Sequence, residues 1–463
     1  MSNFAQEIPK QHYIYQLSNM KTYNFLTLII MAALALSTNA RNKNVIVNGI
    51  PWYDQNGEIV NSHGSCIVRD GSRYWLFGEY KTDSINSFLG FGCYSSEDLA
   101  TWKFERIVLP VQKDGILGPN RVGERVKVMR CPKTGKYVML MHADDMDYRD
   151  PHIGLAIADS INGDYRLLGT LLYKERPIKR WDLGTFQDSD GKGYLLIHHG
   201  PIYRLSDDYL SVDTMVADIK GMGESPTMFR KGDTYYLLTS NLTSWERNDN
   251  YYFTAPSIAG PWIRQGLLCP KGTLTWNTQC TFIYPQVIKE GETPMYMGDR
   301  WSYPRQGSAA TNVWLPITVN GDSLSIPKYM QAWDASSFNP VDVLKGKEKV
   351  FDKTWAAKTT GDKLSVSFTG TQAAVTGTTD KDCGYALVSI TDASGNTVYS
   401  SLVDFYSNVN FPSSIRIITP KMPRGKYKVT IEATGTQPNW SNKRGDKFGA
   451  TDCFVRVDGV YAM

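Results

Sequence analysis

Five polar side chains stand at the entrance to five similar sequence segments, and they are the residues best suited to chemistry. They are His63, Glu124, Asp182, Glu224 and Gln279. Each begins a run of mostly apolar residues, which continues into a glycine-bearing turn and then a second run rich in aromatic residues. This is the pattern of a β-hairpin. Because the five residues occupy similar places in the repeat, we expect them to converge on one pocket.

Three of these residues are carboxylic acids, and three carboxylates beside aromatic residues fit the hydrolysis of a glycosidic bond. That reaction needs one carboxyl group with a raised pKa to protonate the leaving oxygen, and a second group to activate water. A third carboxylate nearby raises the pKa of the acid by like-charge repulsion. The structural alternative is an acid that only caps a turn or pairs with arginine, as Glu124 could with Arg121 or Arg125.

The spacing of the hairpins predicts the fold that positions these residues. The turn glycines are Gly71, Gly135, Gly191, Gly232 and Gly291. Each interval is long enough for four strands, and no helical periodicity lies between them. The sequence therefore predicts an all-β chain whose residues 41–340 form a five-bladed β-propeller. The first strand of each blade should line the axis, and Trp102, Tyr165, Tyr209 and Trp262 should fill the space between blades.

The rest of the chain predicts a second domain. Residues 341–354 include a lysine-rich stretch and are predicted to be a linker. Residues 355–463 contain alternating apolar patterns typical of a jelly-roll-like β-sandwich. This domain is a candidate carbohydrate-binding module, on the expectation that Trp440 and Tyr385 are exposed. The alternative is that it only buttresses the propeller.

Residues 1–40 carry the features of a signal peptide whose true start is Met20, because the apolar run at 25–36 follows Lys21 and ends in small residues. The protein is therefore predicted to be secreted or periplasmic, without a membrane span. Among its seven cysteines, Cys383 and Cys453 are the candidate disulfide pair. The net charge of +4 is small for 463 residues and gives no sign of nucleic-acid binding.

The six histidines have no metal-ligand spacing, and His198 and His199 should point to opposite faces of a strand. We therefore predict no metal site and no cofactor, although a structural calcium ion is compatible with this architecture. The oligomeric state is left open.

Two neighbouring motifs resemble glycoside hydrolase family 43. They are residues 182–192 and 224–229, and the turn at 95–102 is likewise similar. The resemblance covers about residues 45–320. It implies a five-bladed propeller and an inverting, exo-acting enzyme. It also implies that Asp182 is the pKa-modulating aspartate and that Glu224 is the general acid.

One departure concerns the base, which in this family is usually an aspartate that enters the first blade. Residues 61–64 contain no acid there. The pattern as a whole is most similar to the branch of exo-β-1,3-galactanases, in which Glu124 and Gln279 match positions in the catalytic pocket. Because a neutral amide is a poor base, we predict that Glu124 is the base and that Gln279 orients the water. The residues expected to contact substrate are Glu79, His63, Thr243, Trp245, Asp299 and Trp301.

A second departure concerns the substrate. The galactanases carry a polar stretch where this chain has His198 to Pro201. The predicted activity is release of terminal galactose from an arabinogalactan-type polysaccharide, with an α-L-arabinofuranosidase or a β-D-galactofuranosidase as alternatives. From other classes, the alternatives are an inactive propeller that binds glycans and a lyase that uses His63 as its base.

Overall fold

The computed structural model describes residues 44–288, 291–442 and 445–463. The predicted signal peptide lies outside these residues. Within them, no helix has the length and apolar character needed to cross a membrane. The described chain is nearly all β-structure, as predicted, and the exceptions are a 3-10 turn at Gly115–Leu117 and a short helical segment at Leu274–Asn277.

Strand β1 (Val45–Val47) is followed by five sheets in chain order. The first sheet contains β2 (His63–Asp70), β3 (Arg73–Glu79), β4 (Gly90–Ser96) and β5 (Lys103–Pro110). The second contains β6 (Arg121–Arg130), β7 (Tyr137–Asp145), β8 (His152–Ala158) and β9 (Arg166–Thr170). The third contains β10 (Leu172–Tyr173), β11 (Arg176–Pro177), β12 (Leu183–Gln187), β13 (Gly193–Ile197), β14 (Pro201–Leu205) and β15 (Val212–Asp218). The fourth contains β16 (Glu224–Lys231), β17 (Thr234–Ser240), β18 (Tyr251–Ala255) and β19 (Ile263–Leu267). The fifth contains β20 (Gln279–Ile288), β21 (Gly291–Arg300) and β22 (Thr311–Pro316).

The five sheets surround a common axis as the blades of a propeller. Their first strands, β2, β6, β12, β16 and β20, pack side by side in that order, and β20 also packs against β2. Beyond β22, the strands β23 (Thr318–Asn320) and β24 (Ser323–Ser325) pair with each other, and β25 (Ala332–Asp334) pairs with β1. The backbone of Gly49 donates to the carbonyl of Asn312, so the N-terminal segment lies along the outer strand of the fifth sheet.

The hairpin turns and the inter-blade aromatic residues agree with the sequence prediction. Gly71, Gly135, Gly191 and Gly232 all have positive φ, which a residue with a side chain adopts only at a cost. Gly291, which was predicted in the fifth turn, is the first residue of β21, and residues 289–290 before it lie outside the described residues. Tyr165 packs in the core shared by the first and second sheets, and Tyr209 packs in the core shared by the second and third. Trp262 packs against the third and fourth sheets, and Trp102 packs between the first and fifth.

The C-terminal domain is a β-sandwich. Its strands are β26 (Glu348–Phe351), β27 (Trp355–Ala357), β28 (Lys363–Gly370), β29 (Ala373–Thr379), β30 (Tyr385–Asp392), β31 (Thr397–Asp404), β32 (Phe411–Ile418), β33 (Gly425–Ala433), β34 (Asn439–Ser441), β35 (Lys447–Gly449) and β36 (Val455–Ala462). Strands β26, β27, β29, β32 and β36 form one sheet, β28, β30, β31 and β33 form the other, and an apolar core fills the space between them. Strand β26 lies inside the segment predicted as a linker, so the sandwich begins at Glu348.

Two expectations about the sandwich are wrong. Trp440 and Tyr385 are buried, because Trp440 stacks on Phe448 and the Tyr385 hydroxyl bonds to Ser302 of the propeller. Cys383 and Cys453 carry free thiols, as do the other five cysteines, all of which lie in the described residues. The Cys383 sulfur accepts a hydrogen bond from Arg456, and the Cys453 thiol donates to the carbonyl of Lys358, so the two sulfurs have separate partners.

Candidate active site

A cavity of about 490 Å³ lies where the first strands of the blades converge. Seven of the predicted site residues line it: Glu79, Glu124, Asp182, Glu224, Trp245, Gln279 and Trp301. His63 and Asp299 do not line the cavity. They are buried beside each other, 3.5 Å apart from His63 Nδ1 to Asp299 Oδ1. Thr243 does not line the cavity either, but its backbone forms a hydrogen bond with Glu224.

A β-bulge follows the entering polar residue in three of the blades. Strand pairing shifts register just after His63, Glu124 and Glu224. The next residue has positive φ in each case, 59° at Gly64, 54° at Arg125 and 55° at Ser225. A bulge bends the strand and re-aims a side chain. This shared device bends the three first strands at their entrance, at a cost of about 1–3 kcal/mol for each non-glycine residue held there. Glu124 and Glu224 line the cavity, whereas His63 does not.

Glu224 is placed to act as a general acid. Burial is the largest cause, and the neighbouring Asp182 carboxylate the next, of the rise in the pKa of Glu224 to about 8. Arg125 and the hydrogen bond from Gln279 oppose this rise. The carboxyl group is therefore mostly protonated at neutral pH and has a proton to donate.

Arg125 joins the acid to its surroundings. Its Nε lies 3.3 Å from Asp182 Oδ2, and its Nη2 donates to Gln279 Oε1 at 2.6 Å. Asp182 Oδ2 also accepts a hydrogen bond from the Ser225 hydroxyl at 2.9 Å. The charge of Arg125 therefore keeps Asp182 in place beside Glu224, and the cation limits how far the pKa of Glu224 rises.

The amide of Gln279 is held by protein partners on both sides. Its Nε2 donates to Glu224 Oε1 at 2.8 Å and to the Ser240 hydroxyl at 3.1 Å. Its Oε1 accepts from Arg125 and, at 2.9 Å, from Trp301 Nε1. An amide has two donors and two acceptor lone pairs, so these contacts occupy all of them. Gln279 is thus placed to hold the acid in position, whereas the prediction from the sequence was that it orients the water.

Glu124 has the opposite electrostatic environment to Glu224. Its Oε1 accepts from Lys81 Nζ at 3.2 Å, Asn86 Nδ2 at 3.1 Å and the Tyr148 hydroxyl at 2.9 Å. Burial favours the neutral acid, but Lys81, His142 and Asn86 outweigh it and hold the pKa of Glu124 well below its usual range. Glu124 is therefore an anion throughout the working pH range of most enzymes, and the alternative pairing with Arg121 or Arg125 is not present in its contacts.

His142 is a site residue that the sequence analysis missed. Burial lowers its pKa, but the hydrogen bond with Asp144, at 3.0 Å, and the neighbouring Glu124 carboxylate raise the pKa to about 9. It is therefore a cation at neutral pH, 3.5 Å from Glu124 Oε2. Lys81, Asn86 and Tyr148 were missed as well, because they reach Glu124 from two loops, one between β3 and β4 and the other between β7 and β8, whose spacing is unrelated to the hairpin of Glu124.

Glu79 and two tryptophans complete the walls. Glu79 Oε1 accepts from the backbone N–H of Arg125 at 2.8 Å, and Lys81 lies 3.1 Å from its other oxygen. Trp301 packs edge-on against Trp245, with ring centroids 5.1 Å apart. Trp245 is only partly buried, so its ring is available to a sugar, whereas Trp301 is buried with its indole N–H on Gln279.

The third-blade wall contains the residues at which the sequence departs from the galactanases. His198 is buried and lines the cavity, with its ring 5.0 Å from that of Trp181. His199 is exposed, in the turn that follows β13. Among the described residues, no group of three or more His, Cys, Asp or Glu side chains is arranged to hold a metal ion.

A pocket on a propeller axis that holds a protonated acid beside a carboxylate, with a second anion opposite, has the groups that hydrolysis of a glycosidic bond requires. The sequence profile "Glycosyl hydrolases family 43" matches residues 61–265. A protein of Bifidobacterium bifidum assigned as an exo-β-1,3-galactanase is 36% identical, with a TM-score of 0.57, over 60% of this chain and 95% of that one. The chain therefore belongs to glycoside hydrolase family 43.

Two further solved structures resemble larger parts of the chain. An exo-β-1,3-galactanase from Clostridium thermocellum is 26% identical, with a TM-score of 0.59, over 80% of this chain and 78% of that one. An exo-β-1,3-galactanase from Phanerochaete chrysosporium, solved with β-1,3-galactotriose, shares the fold with a TM-score of 0.65 and 23% identity over 90% of this chain and 99% of that one. A search of curated protein sequences gave no significant match.

Proposed function

We propose that the protein is an exo-acting, inverting galactan 1,3-β-galactosidase that releases terminal galactose from an arabinogalactan-type polysaccharide. The observation that carries this proposal is the pairing of a protonated Glu224 with Asp182 in the pocket of a chain that is similar to exo-β-1,3-galactanases. A polysaccharide of this kind is met outside the cell, so the proposal fits export by the predicted signal peptide.

In the proposed mechanism, Glu224 donates its proton to the glycosidic oxygen as the bond to the anomeric carbon breaks. Glu124 takes a proton from the water that attacks the opposite face of the sugar, so the configuration inverts. Asp182 keeps Glu224 protonated before the reaction, and Gln279 holds it in place. The low pKa of Glu124 guarantees its ionised form but weakens it as a base, so the assignment is tested separately below.

Replacing the acid tests the proposal. Glu224→Gln keeps the size of the side chain but removes the proton, so the release of galactose from β-1,3-galactan should fall by a factor of about 10²–10⁴. A dinitrophenyl β-galactoside, whose leaving group needs no proton, should still be cleaved at a rate close to that of the wild type. Equal loss on both substrates would remove Glu224 from the role of acid.

The substrate panel should include aryl α-L-arabinofuranosides and β-D-galactofuranosides. His198 lines the wall at which the sequence departs from the galactanases, and arabinose or galactofuranose release would move the function to those alternatives. Sugar binding without release from any substrate would support the inactive glycan-binding propeller.

A further inference from the structure

The C-terminal sandwich contacts both propeller loops that carry the pocket tryptophans. Trp245 lies in the loop between β17 and β18, and Trp301 begins the loop that follows β21. The residues next to them, Glu246 and Ser302, are buried against side chains of the sandwich.

Tyr406 of the sandwich holds the first loop and, through it, the second. Its hydroxyl donates to Glu246 Oε2 at 2.6 Å, and the other oxygen of Glu246 lies 3.3 Å from Arg247 Nη1. Arg247 in turn donates to the backbone carbonyl of Trp301, and its guanidinium lies over the ring of Tyr406. These side chains are nearly inaccessible to water. Losing one of the contacts would therefore leave a buried polar group without a partner, which is costly.

The second loop has its own contacts with the sandwich. The Ser302 hydroxyl donates to Asp404 Oδ2 at 2.8 Å, and the Tyr385 hydroxyl donates to the carbonyl of Ser302 at 3.0 Å. From Trp301 the connection continues into the catalytic groups, because its indole N–H donates to Gln279, and Gln279 donates to Glu224. Ser441 and Asn442, at the end of β34, also line the catalytic cavity.

We propose that the sandwich is part of the catalytic site, with Tyr406 as a positioning residue that acts through Glu246, Arg247 and Trp301 on Gln279 and the acid. The structural part of this inference is independent of the substrate, whereas its catalytic part rests on the proposed function.

A matched pair of variants of the full chain separates positioning from general support between domains. Tyr406→Phe removes the hydroxyl on Glu246. Tyr399→Phe removes another hydroxyl at the contact between the domains, where the Tyr399 oxygen lies 2.5 Å from that of Tyr53, beside the loop at 53–59 rather than the pocket. Hydrogen–deuterium exchange should rise severalfold in the loops at 241–250 and 301–310 in Tyr406→Phe, and should stay at the wild-type level there in Tyr399→Phe.

Kinetics then test the connection to the acid. In Tyr406→Phe we expect kcat/KM on β-1,3-galactan to fall about tenfold, with kcat accounting for most of the loss, and in Tyr399→Phe we expect it unchanged. The groups that face Glu224 are Asp182, Arg125, Gln279 and the backbone of Thr243. Because the bond from Gln279 lowers the pKa of Glu224, loosening it should move the basic limb of the pH profile upward by about half a unit.

The outcomes distinguish this inference from the proposed function. If loop exchange is faster in Tyr406→Phe but the wild-type protein releases no galactose, the contact between Tyr406 and the two loops is upheld and the proposed function is overturned. Unchanged loop exchange, or the same change in both variants, would overturn the inference that this contact holds the loops. Faster exchange with unaltered kinetics and pH profile would overturn the positioning role and leave Tyr406 as ordinary support.

Discussion

Replacing Asp182 with asparagine tests how the pocket keeps its acid protonated. The substitution removes one negative charge next to Glu224 and leaves an oxygen that can still accept from the Ser225 hydroxyl. Asparagine has nearly the same size as aspartate, so the shape of the pocket is kept. The change therefore isolates the electrostatic contribution of Asp182 from its packing.

The structure sets the size of the expected effect. The pKa of Glu224 is about 8 against an ordinary value of 4.5, and burial, the larger cause, is untouched by the substitution. Loss of the Asp182 charge should lower the pKa by roughly one unit, or about 1.4 kcal/mol. The acid works only when protonated, so activity falls as pH rises through this pKa. At pH 8 the protonated fraction should drop from about a half to about a tenth, and at pH 5.5 it should hardly change.

The assay is kcat/KM on β-1,3-galactobiose from pH 5 to pH 10 for the wild type and Asp182→Asn. The basic limb should move to lower pH in the variant. A dinitrophenyl β-galactoside is the internal control, because it needs no proton from Glu224 and should show no such shift. A basic limb that stays in place, or moves upward, would refute the idea that Asp182 raises the pKa of the acid.

Two further predictions concern the first blade and the base. Gly64→Ala should lower the free energy of unfolding by about 2–4 kcal/mol and impair activity, because φ is positive there and the new Cβ would lie 1.9 Å from Glu79 Oε1. Gly71→Ala, at the same φ with nothing within 4 Å, should cost only about 1 kcal/mol in chemical denaturation, and equal losses would contradict the clash. Glu124→Ala should lose turnover. With an activated galactoside as substrate, added azide should restore it, because azide attacks without a base, and the product should be a galactosyl azide of inverted configuration. Gln279→Ala should not be rescued, and the reverse result would move the base to Gln279.

The parts of the site that could be predicted from the sequence are those set by local rules. A glycine turn between two apolar runs fixes a hairpin, and equal places in successive hairpins put His63, Glu124, Asp182, Glu224 and Gln279 at one end of the axis. The structure confirms the hairpins and brings four of these five side chains to the cavity. His63 instead is buried beside Asp299 and does not line the cavity.

The remaining features depend on contacts between distant segments. Arg125 and Ser225 adopt positive φ, which nothing in their own residue types predicts, and each is hydrogen-bonded to the preceding blade, Arg125 to Glu79 and Ser225 to Asp182. Lys81, Asn86 and Tyr148 reach Glu124 from two loops that no spacing relates to it, whereas His142 lies directly opposite Glu124 in the second hairpin and could have been found from the hairpin register. Trp440 and Tyr385 were expected at the surface, but the structure buries Trp440 against Phe448 and Tyr385 against the propeller, and both are contacts that sequence spacing does not reveal.

The environments of Glu224 and Glu124 make the two roles non-interchangeable. Both side chains enter the same cavity from equivalent places in the fold, and burial would raise the pKa of each. The fourth blade places Glu224 beside another carboxylate, whereas the second places Glu124 among Lys81, His142 and Asn86. The difference in charge of the neighbours, and not the identity of the residue, therefore makes one carboxyl a proton donor and the other an anion. Asp182 is a main cause of the raised pKa of Glu224, whereas the main causes for Glu124 are burial, Lys81, His142 and Asn86. A substitution at Asp182 is therefore expected to shift the pKa of the acid and to leave that of the proposed base unchanged.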